Sequence, residues 1–284
     1  MKLVTFLHDS KEAVGVLTED GAAVRPLPFA DMNALIQASR ETLLAAVKGA
    51  AATLPLSAVT LLAPIPRPRQ DVICLGINYK AHAEEAARYS SEAFTKERPT
   101  PIYFSKRVTE AVAPEGYIES HPGLVERLDY EAELAVIIGK TAKNVKAKDA
   151  ADYIFGYTVL NDVSARVLQT AHKQWYFGKS LDGFSPMGPC IVTADEIAFP
   201  PALHITARVN GELRQDSTTD LLITSIADII EELSSGMTLL PGTIISTGTP
   251  SGVGMGFDPP KFLKSGDVVE CAIEGIGTLR NTVR

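Results

Sequence analysis

Leu128-Asp-Tyr-Glu131-Ala-Glu133-Leu-Ala-Val-Ile-Ile138 is the most informative stretch of this 284-residue chain. In an extended strand, residues two apart share a face. Asp129, Glu131 and Glu133 therefore fall on one side, and Leu128, Tyr130, Ala132, Leu134 and Val136 on the other. From Ala135 onward both faces are apolar, so the strand is expected to run into the core with the acids at its mouth. Two carboxylates about 5 Å apart repel by about 3 kcal/mol at an effective dielectric near 20. Solvation, protonation of one acid, or a cation between them relieves that repulsion. A strand with a merely solvated acidic face is the plainer alternative.

A second segment bears on the first. Tyr153 to Leu160 reads as a strand ending in Asn161-Asp162, and Val163 to His172 as a helix. Asp162 could simply cap that helix. Asp162, Arg166 and Gln169 nonetheless stand at i, i+4 and i+7, one helical face. A carboxylate, a guanidinium and an amide in a row suit a metal and a carboxylated ligand, since arginine grips carboxylates bidentately. Lys179 lies in Trp175-Tyr-Phe-Gly-Lys179-Ser-Leu-Asp-Gly-Phe184, either an ordinary surface lysine or a cation in an apolar setting facing a developing oxyanion. Ile244 to Gly254 is a strand entering a glycine-rich loop, which is either a plain turn or a row of N–H groups able to cradle an anion. His82 and Glu85, at i and i+3 on a short helix-like stretch from Tyr79 to Tyr89, form either a surface pair or an imidazole oriented by a carboxylate, a general-base arrangement.

The remainder is ordinary in composition. Hydrophobic residues make up 45% and charged residues 21%, which allows a sizeable core and excludes wholesale disorder. Lys+Arg 27 against Asp+Glu 34 gives a net charge of -7 with no basic patch, against a nucleic-acid binder. No apolar run approaches a membrane span, and His8 and Asp9 break the N-terminal apolar run too early for a signal-peptide core. Cys74, Cys190 and Cys271 are far apart and form no C-x-x-C pair, so a reducing, cytoplasmic setting is expected. Lys2 to Leu7 and Ala13 to Thr18 read as strands, Asp31 to Val47 as a helix, and the proline-dense Ala63 to Arg69 as a boundary. A small N-terminal α/β module, residues 1–66, is expected ahead of a main domain, residues 67–284. Asp71 to Leu75 and several later runs read as strands, Ser90 to Pro101 as a mobile loop, and Thr224 to Ser234 as a helix stopped at Gly236. The class is strand-rich α+β. Gly178-Lys179-Ser180 ends like a P-loop, but Lys173 stands where that motif needs glycine.

Together the motifs resemble the fumarylacetoacetate hydrolase family. The likeness is carried by Gly76-Ile-Asn78-Tyr79-x-x-His82-x-x-Glu85, Asp129-Tyr-Glu131-Ala-Glu133-Leu and Gly156-Tyr-Thr-Val-Leu-Asn161-Asp162-Val-Ser-Ala-Arg166-x-x-Gln169. It continues through Gly178-Lys179-Ser, Ser246-Thr-Gly-Thr249-Pro-x-Gly-Val-Gly and the closing Gly266-Asp-Val-Val-Glu with Glu274-Gly-Ile-Gly-Thr-Leu-Arg-Asn. The resemblance implies the family's β-roll, usually dimeric, with Mg2+ or Mn2+ on Glu131, Glu133 and Asp162. It implies a lid helix carrying His82 and Glu85 as a water-activating dyad, with Arg166, Gln169, Lys179 and Thr249 on the substrate's oxygens. Gly183 replaces a threonine of the hydrolases nearest the family's namesake, and the pattern is more similar to the acylpyruvase-type and sugar-acid-degrading branches.

The expected activity is metal-dependent hydrolysis of a C–C bond in a 2,4-diketo acid or acylpyruvate, with Lys179 and Gln169 beside the oxyanion. Oxaloacetate decarboxylation and keto–enol tautomerisation or isomerisation use the same site chemistry without a hydrolytic water. A non-catalytic organic-acid-binding protein is the alternative from another class. A small keto-acid and a second copy of the chain are the expected partners, with neither nucleic acid nor membrane among them.

Overall fold

The segment from Ala132 to Ile138, apolar but for Glu133, becomes a strand buried at every position. It pairs antiparallel with Ile154–Asn161 on one side and with Ile244–Ser246 on the other. Burial on both faces explains why its sequence from Leu134 onward is continuously apolar rather than alternating. The computed structural model describes residues 1–89 and 100–284.

The central strand belongs to an 11-stranded sheet. From one edge its path runs Leu54–Pro55, Ala23–Pro26, Lys11–Leu17, Lys2–His8, Met187–Thr193, Ile154–Asn161 and Ala132–Ile138. It continues through Ile244–Ser246, Val72–Leu75 and Tyr103–Lys106, while Thr60–Leu61 pairs beside Lys2–His8. A five-stranded sheet, Glu212–Thr218, His204–Val209, Val268–Ile273, Gly277–Val283 and Tyr117–Ile118, covers one face. There Leu134, Val136 and Val159 share a core with Ile205, Ala207, Val269 and Cys271. On the opposite face Ala135, Ile137 and Ile191 pack with Leu35, Ile36 and Leu43 of the N-terminal helices. Strand-rich α+β is therefore the observed class.

Several elements differ in extent from the sequence reading. The helix expected over Asp31 to Val47 is two, Met32–Gln37 and Arg40–Gly49, because Ala38 is extended and Ser39 caps the second by accepting from Thr42 N–H. The helix near Thr224 runs Ile226–Gly236 behind a Ser225 cap. Glu212–Thr218 was not expected as a strand; its residues are exposed or half-buried except Gln215, so no apolar alternation marks it. Of the expected loop from Ser90 to Pro101, residues 90–99 lie outside the described residues. No described helix is long and apolar enough to cross a membrane.

Candidate metal centre and active site

The sheet brings four strand ends together. Ala132 starts its strand opposite Asn161, where the neighbouring strand ends. Ser246, the last residue of the third strand, lies parallel to Cys74 near the end of Val72–Leu75. Glu131 and Glu133 flank the first of these ends and Asp162 follows the second. One oxygen from each of the three lies within 4.8 Å of the others. All three side chains are buried, Glu133 and Asp162 at 0% exposure, so the acidic face is not a solvated one.

The expected continuous strand from Leu128 is broken at Tyr130 and Glu131. Leu128–Asp129 pairs instead with Ser164–Ala165 in a separate two-stranded ladder. Glu131 is fixed by Asn161, whose Oδ1 accepts from Glu131 N–H at 3.0 Å, and by Asp162 N–H, which donates to Glu131 O at 2.8 Å. Asp129 is turned away from the trio. Its carboxylate accepts from Arg166 Nε at 2.9 Å and from the N–H groups of Gly254 and Met255 at 2.7 and 3.0 Å.

The same pairing corrects the helix. Ser164 and Ala165 are drawn into the ladder, so the helix is Arg166–Ala171, shorter than Val163 to His172. Asp162 is neither its cap nor on its face. Arg166 and Gln169 do share the buried side, where Arg166 Nη1 meets Glu131 Oε1 at 2.7 Å and Gln169 Oε1 at 3.1 Å. Lys179 is no surface residue: its ammonium is buried, 2.8 Å from Glu131 Oε2 and 2.7 Å from Asp162 Oδ2, and 5.1 Å from the Phe104 ring centroid.

These cations set the protonation of the acids. Burial opposes charge on Glu131, but Lys179 and then Arg166 outweigh it and hold the carboxyl far below its ordinary range. Glu133 goes the other way: burial, then the neighbouring Asp162 and Glu131, push it well above the ordinary range. Its Oε2 accepts from Ser246 Oγ at 2.5 Å and Gly248 N–H at 2.9 Å, while buried Oε1 has no partner among the described residues.

The donor set fits a divalent ion. Asp129, Glu131, Glu133 and Asp162 stand with Lys106, Arg166 and Lys179 in one buried cluster, which leaves one negative charge unbalanced when all are ionised, while Glu85 pairs with His82. Carboxylate oxygens are ligands of hard cations, and the unpartnered Glu133 Oε1 is free to serve.

His82 and Glu85 face inward from the helix Lys80–Tyr89, with Nδ1 and Oε2 3.1 Å apart and both side chains buried. Alanines at 81, 83, 86 and 87 favour that helix. Ala86 seats it against Val253 and Met255. Asn78 fixes its entry by accepting from Thr224 N–H at 2.7 Å and donating to Thr247 O at 2.8 Å. The glycine-rich loop does bind anions through its amides, but they are this chain's own: Gly248 holds Glu133, Gly252 holds Glu85 at 2.9 Å, and Gly254 and Met255 hold Asp129. Thr249 is buried in the same loop, its hydroxyl donating to Ala132 O at 2.9 Å and accepting from Gln215 at 2.8 Å.

Two residues escaped the sequence reading. Lys106, fully buried, donates to Asp162 Oδ1 at 2.5 Å and Val163 O at 3.0 Å. A lysine closing the strand Tyr103–Lys106 was its only signal. Gln215 had none.

The profile of the fumarylacetoacetate (FAA) hydrolase C-terminal family matches residues 71–284. Oxaloacetate tautomerase YisK of Bacillus subtilis is 49% identical over 228 residues, covering 80% of this chain and 74% of that protein. The mitochondrial oxaloacetate tautomerase Fahd2a of Rattus norvegicus is 42% identical over 295 residues, covering 100% of this chain and 91% of that one. The solved fumarylacetoacetate hydrolase of Exiguobacterium antarcticum superposes with a TM-score of 0.88 at 39% identity, covering 100% of this chain and 99% of that one.

Proposed function

The chain belongs to the fumarylacetoacetate hydrolase family, and on that footing we propose that it interconverts the keto and enol forms of a small 2-oxo acid of the oxaloacetate type. A divalent ion, Mg2+ or Mn2+, is assigned to Glu131, Glu133 and Asp162. The observation that carries this reading is the likeness to two oxaloacetate tautomerases over 80% and 100% of the chain. It moves the preference from C–C hydrolysis to the non-hydrolytic alternative.

An ion on the three carboxylates supplies Lewis-acid polarisation of the 2-oxo acid's oxygens. The chain's own groups do the rest. His82 is the proposed proton carrier: with Nδ1 turned to Glu85, Nε2 is left to take a proton from C3 of the keto form or return it. In the enol that proton resides on the 2-oxo oxygen, so no water is consumed and no C–C bond breaks. Lys179, a buried ammonium whose hold on its proton is weakened by burial but strengthened further by Asp162 and Glu131, stabilises charge developing on that oxygen. Arg166, with a buried Nη2 that has no partner among the described residues, and Gln169 are assigned to the substrate carboxylate. Thr249 has its hydroxyl committed to Ala132 and Gln215, and this scheme gives it no substrate contact. A homodimer is proposed from the family resemblance, and a reducing, cytoplasmic setting from the three separated free cysteines.

The buried His82–Glu85 pair also suits activation of a water, which favours hydrolysis of a 2,4-diketo acid as a second reading. The decisive assay follows the absorbance of enol-oxaloacetate with Mg2+ or Mn2+ in 18O-water, beside an acylpyruvate panel. The tautomerase reading expects accelerated loss of the enol band, a fall of about 100-fold or more in His82→Ala, and no label in a new carboxylate. Acylpyruvate cleavage with 18O in the product, and no effect on the enol band, would establish the hydrolase instead.

A further inference from the structure

Ala132 stands between the two glutamates of the candidate ion site, and both its backbone groups are held by side chains from elsewhere. Its N–H donates to Gln215 Oε1 at 3.0 Å. Its carbonyl accepts from Thr249 Oγ1 at 2.9 Å, and that hydroxyl accepts from Gln215 Nε2 at 2.8 Å. The three residues thus close a ring of hydrogen bonds. The second N–H of the Gln215 amide donates to Pro250 O at 2.8 Å. The amide has only one workable orientation, since Ala132 offers a donor and Pro250 only an acceptor. Gln215 and Ala132 are fully buried and Thr249 nearly so, so water does not substitute for these bonds.

Gln215 lies in the strand Glu212–Thr218 of the five-stranded sheet, opposite Ala207, and is the only residue of that strand to be fully buried. A buried amide costs free energy unless satisfied, and an apolar residue would cover Ala207 and its neighbours as well. The amide is accounted for by what it holds. The Ala132 N–H belongs to the peptide unit shared with Glu131 and its carbonyl to the one shared with Glu133, so holding both fixes the directions in which the two glutamates leave the backbone.

We propose that Gln215 is a positioning residue for the ion site, acting with the Thr249 hydroxyl through Ala132 to set the spacing of Glu131 and Glu133. This rests on the reading of those two glutamates and Asp162 as ligands. The test titrates chelator-stripped full-length chain with Mn2+ by calorimetry, comparing wild type with Gln215→Met, Thr249→Val, Thr249→Ser and the Gln215→Met/Thr249→Val double variant, each checked for native near-UV circular dichroism.

Outer-shell partners typically govern metal affinity by about 10- to 100-fold. Gln215→Met and Thr249→Val are each expected to weaken Mn2+ binding by about 10-fold or more. The double variant is expected to be little worse than either single one, because opening the ring once suffices. Thr249→Ser, which keeps the hydroxyl, is expected to bind like wild type. If Gln215→Met does not fold, Thr249→Val and Thr249→Ser decide the matter. Folded variants that bind Mn2+ as tightly as wild type, or losses that add in the double variant, would overturn the positioning role while leaving the ligand assignment intact. A wild type without Mn2+ affinity would overturn the ligand assignment and this inference with it.

Discussion

Glu133 shows most clearly how burial and charge set the behaviour of a single residue. It shares a buried space with Glu131 and Asp162, and of the three it lacks a direct ammonium or guanidinium partner among the described residues. Burial and its two acidic neighbours therefore raise its proton affinity well above the ordinary value of 4.5. In chelator, a raised folded-state pKa gives a contribution to stability that is complete below pH 4.5. It is lost as pH climbs from there through the folded value. Glu133→Gln, which cannot ionise, is expected to gain on wild type in thermal melts over that window, and to fall behind it when saturating Mn2+ stabilises only wild type. Parallel melting curves across pH, or equal Mn2+ stabilisation, would sink the assignment. Glu131, Glu133, Arg166 and the His82–Glu85 pair stood out because each sits in a short patterned stretch, whereas Asp129, expected on the face of the two glutamates, turns to Arg166, and Asp162 lies off the helical face expected for it. Lys106 and Gln215 did not stand out, because their partners lie 56 and 83 residues away and only strand order, for Lys106, and the packing of one sheet on the other, for Gln215, join them.

Elements were legible where local pattern and tertiary pairing agree. The strand Ala132–Ile138 and the helix Lys80–Tyr89 have residues suited to both. The helix that was expected to begin at Val163 begins at Arg166 because Ser164 and Ala165 gain more from pairing with Leu128–Asp129, a contact local propensity cannot reveal. The glycine-rich loop reads from sequence as either a plain turn or an amide-lined anion cradle, and it is the cradle. Its anions are internal because the fold sets Glu133, Glu85 and Asp129 against it. That places a demand on Gly256, where a Cβ would overlap the Glu85 carboxylate. Gly256→Ala is expected to displace the His82 helix and lower turnover on the enol band by about 10-fold or more, a partial loss of the about 100-fold or more that a general base supplies. Mn2+ affinity should stay within about 2-fold, since Glu85 is not among the ligands. Turnover unchanged in the alanine variant, measured on the enol band, would show that the helix does not depend on this approach.

At the scale of the whole molecule, two sheets packed face to face share an apolar core, yet the described residues include a buried cluster of seven charged side chains. Such a cluster is costly unless its charges balance. Four acids against three bases do not balance, and Glu133, which has no basic partner among the described residues, converges with Glu131 and Asp162 on a single point. The sequence disclosed the signs of these charges and the fold class. It could not disclose the balance, which depends on strand order bringing residues 106, 131, 162 and 179 together. The most direct test is electron paramagnetic resonance of Mn2+ added to chelator-stripped chain. Wild type should remove the free-ion signal up to one equivalent per chain, and the Glu131→Gln/Glu133→Gln double variant should leave it untouched. Equal uptake by both proteins, or none by wild type, would contradict the site.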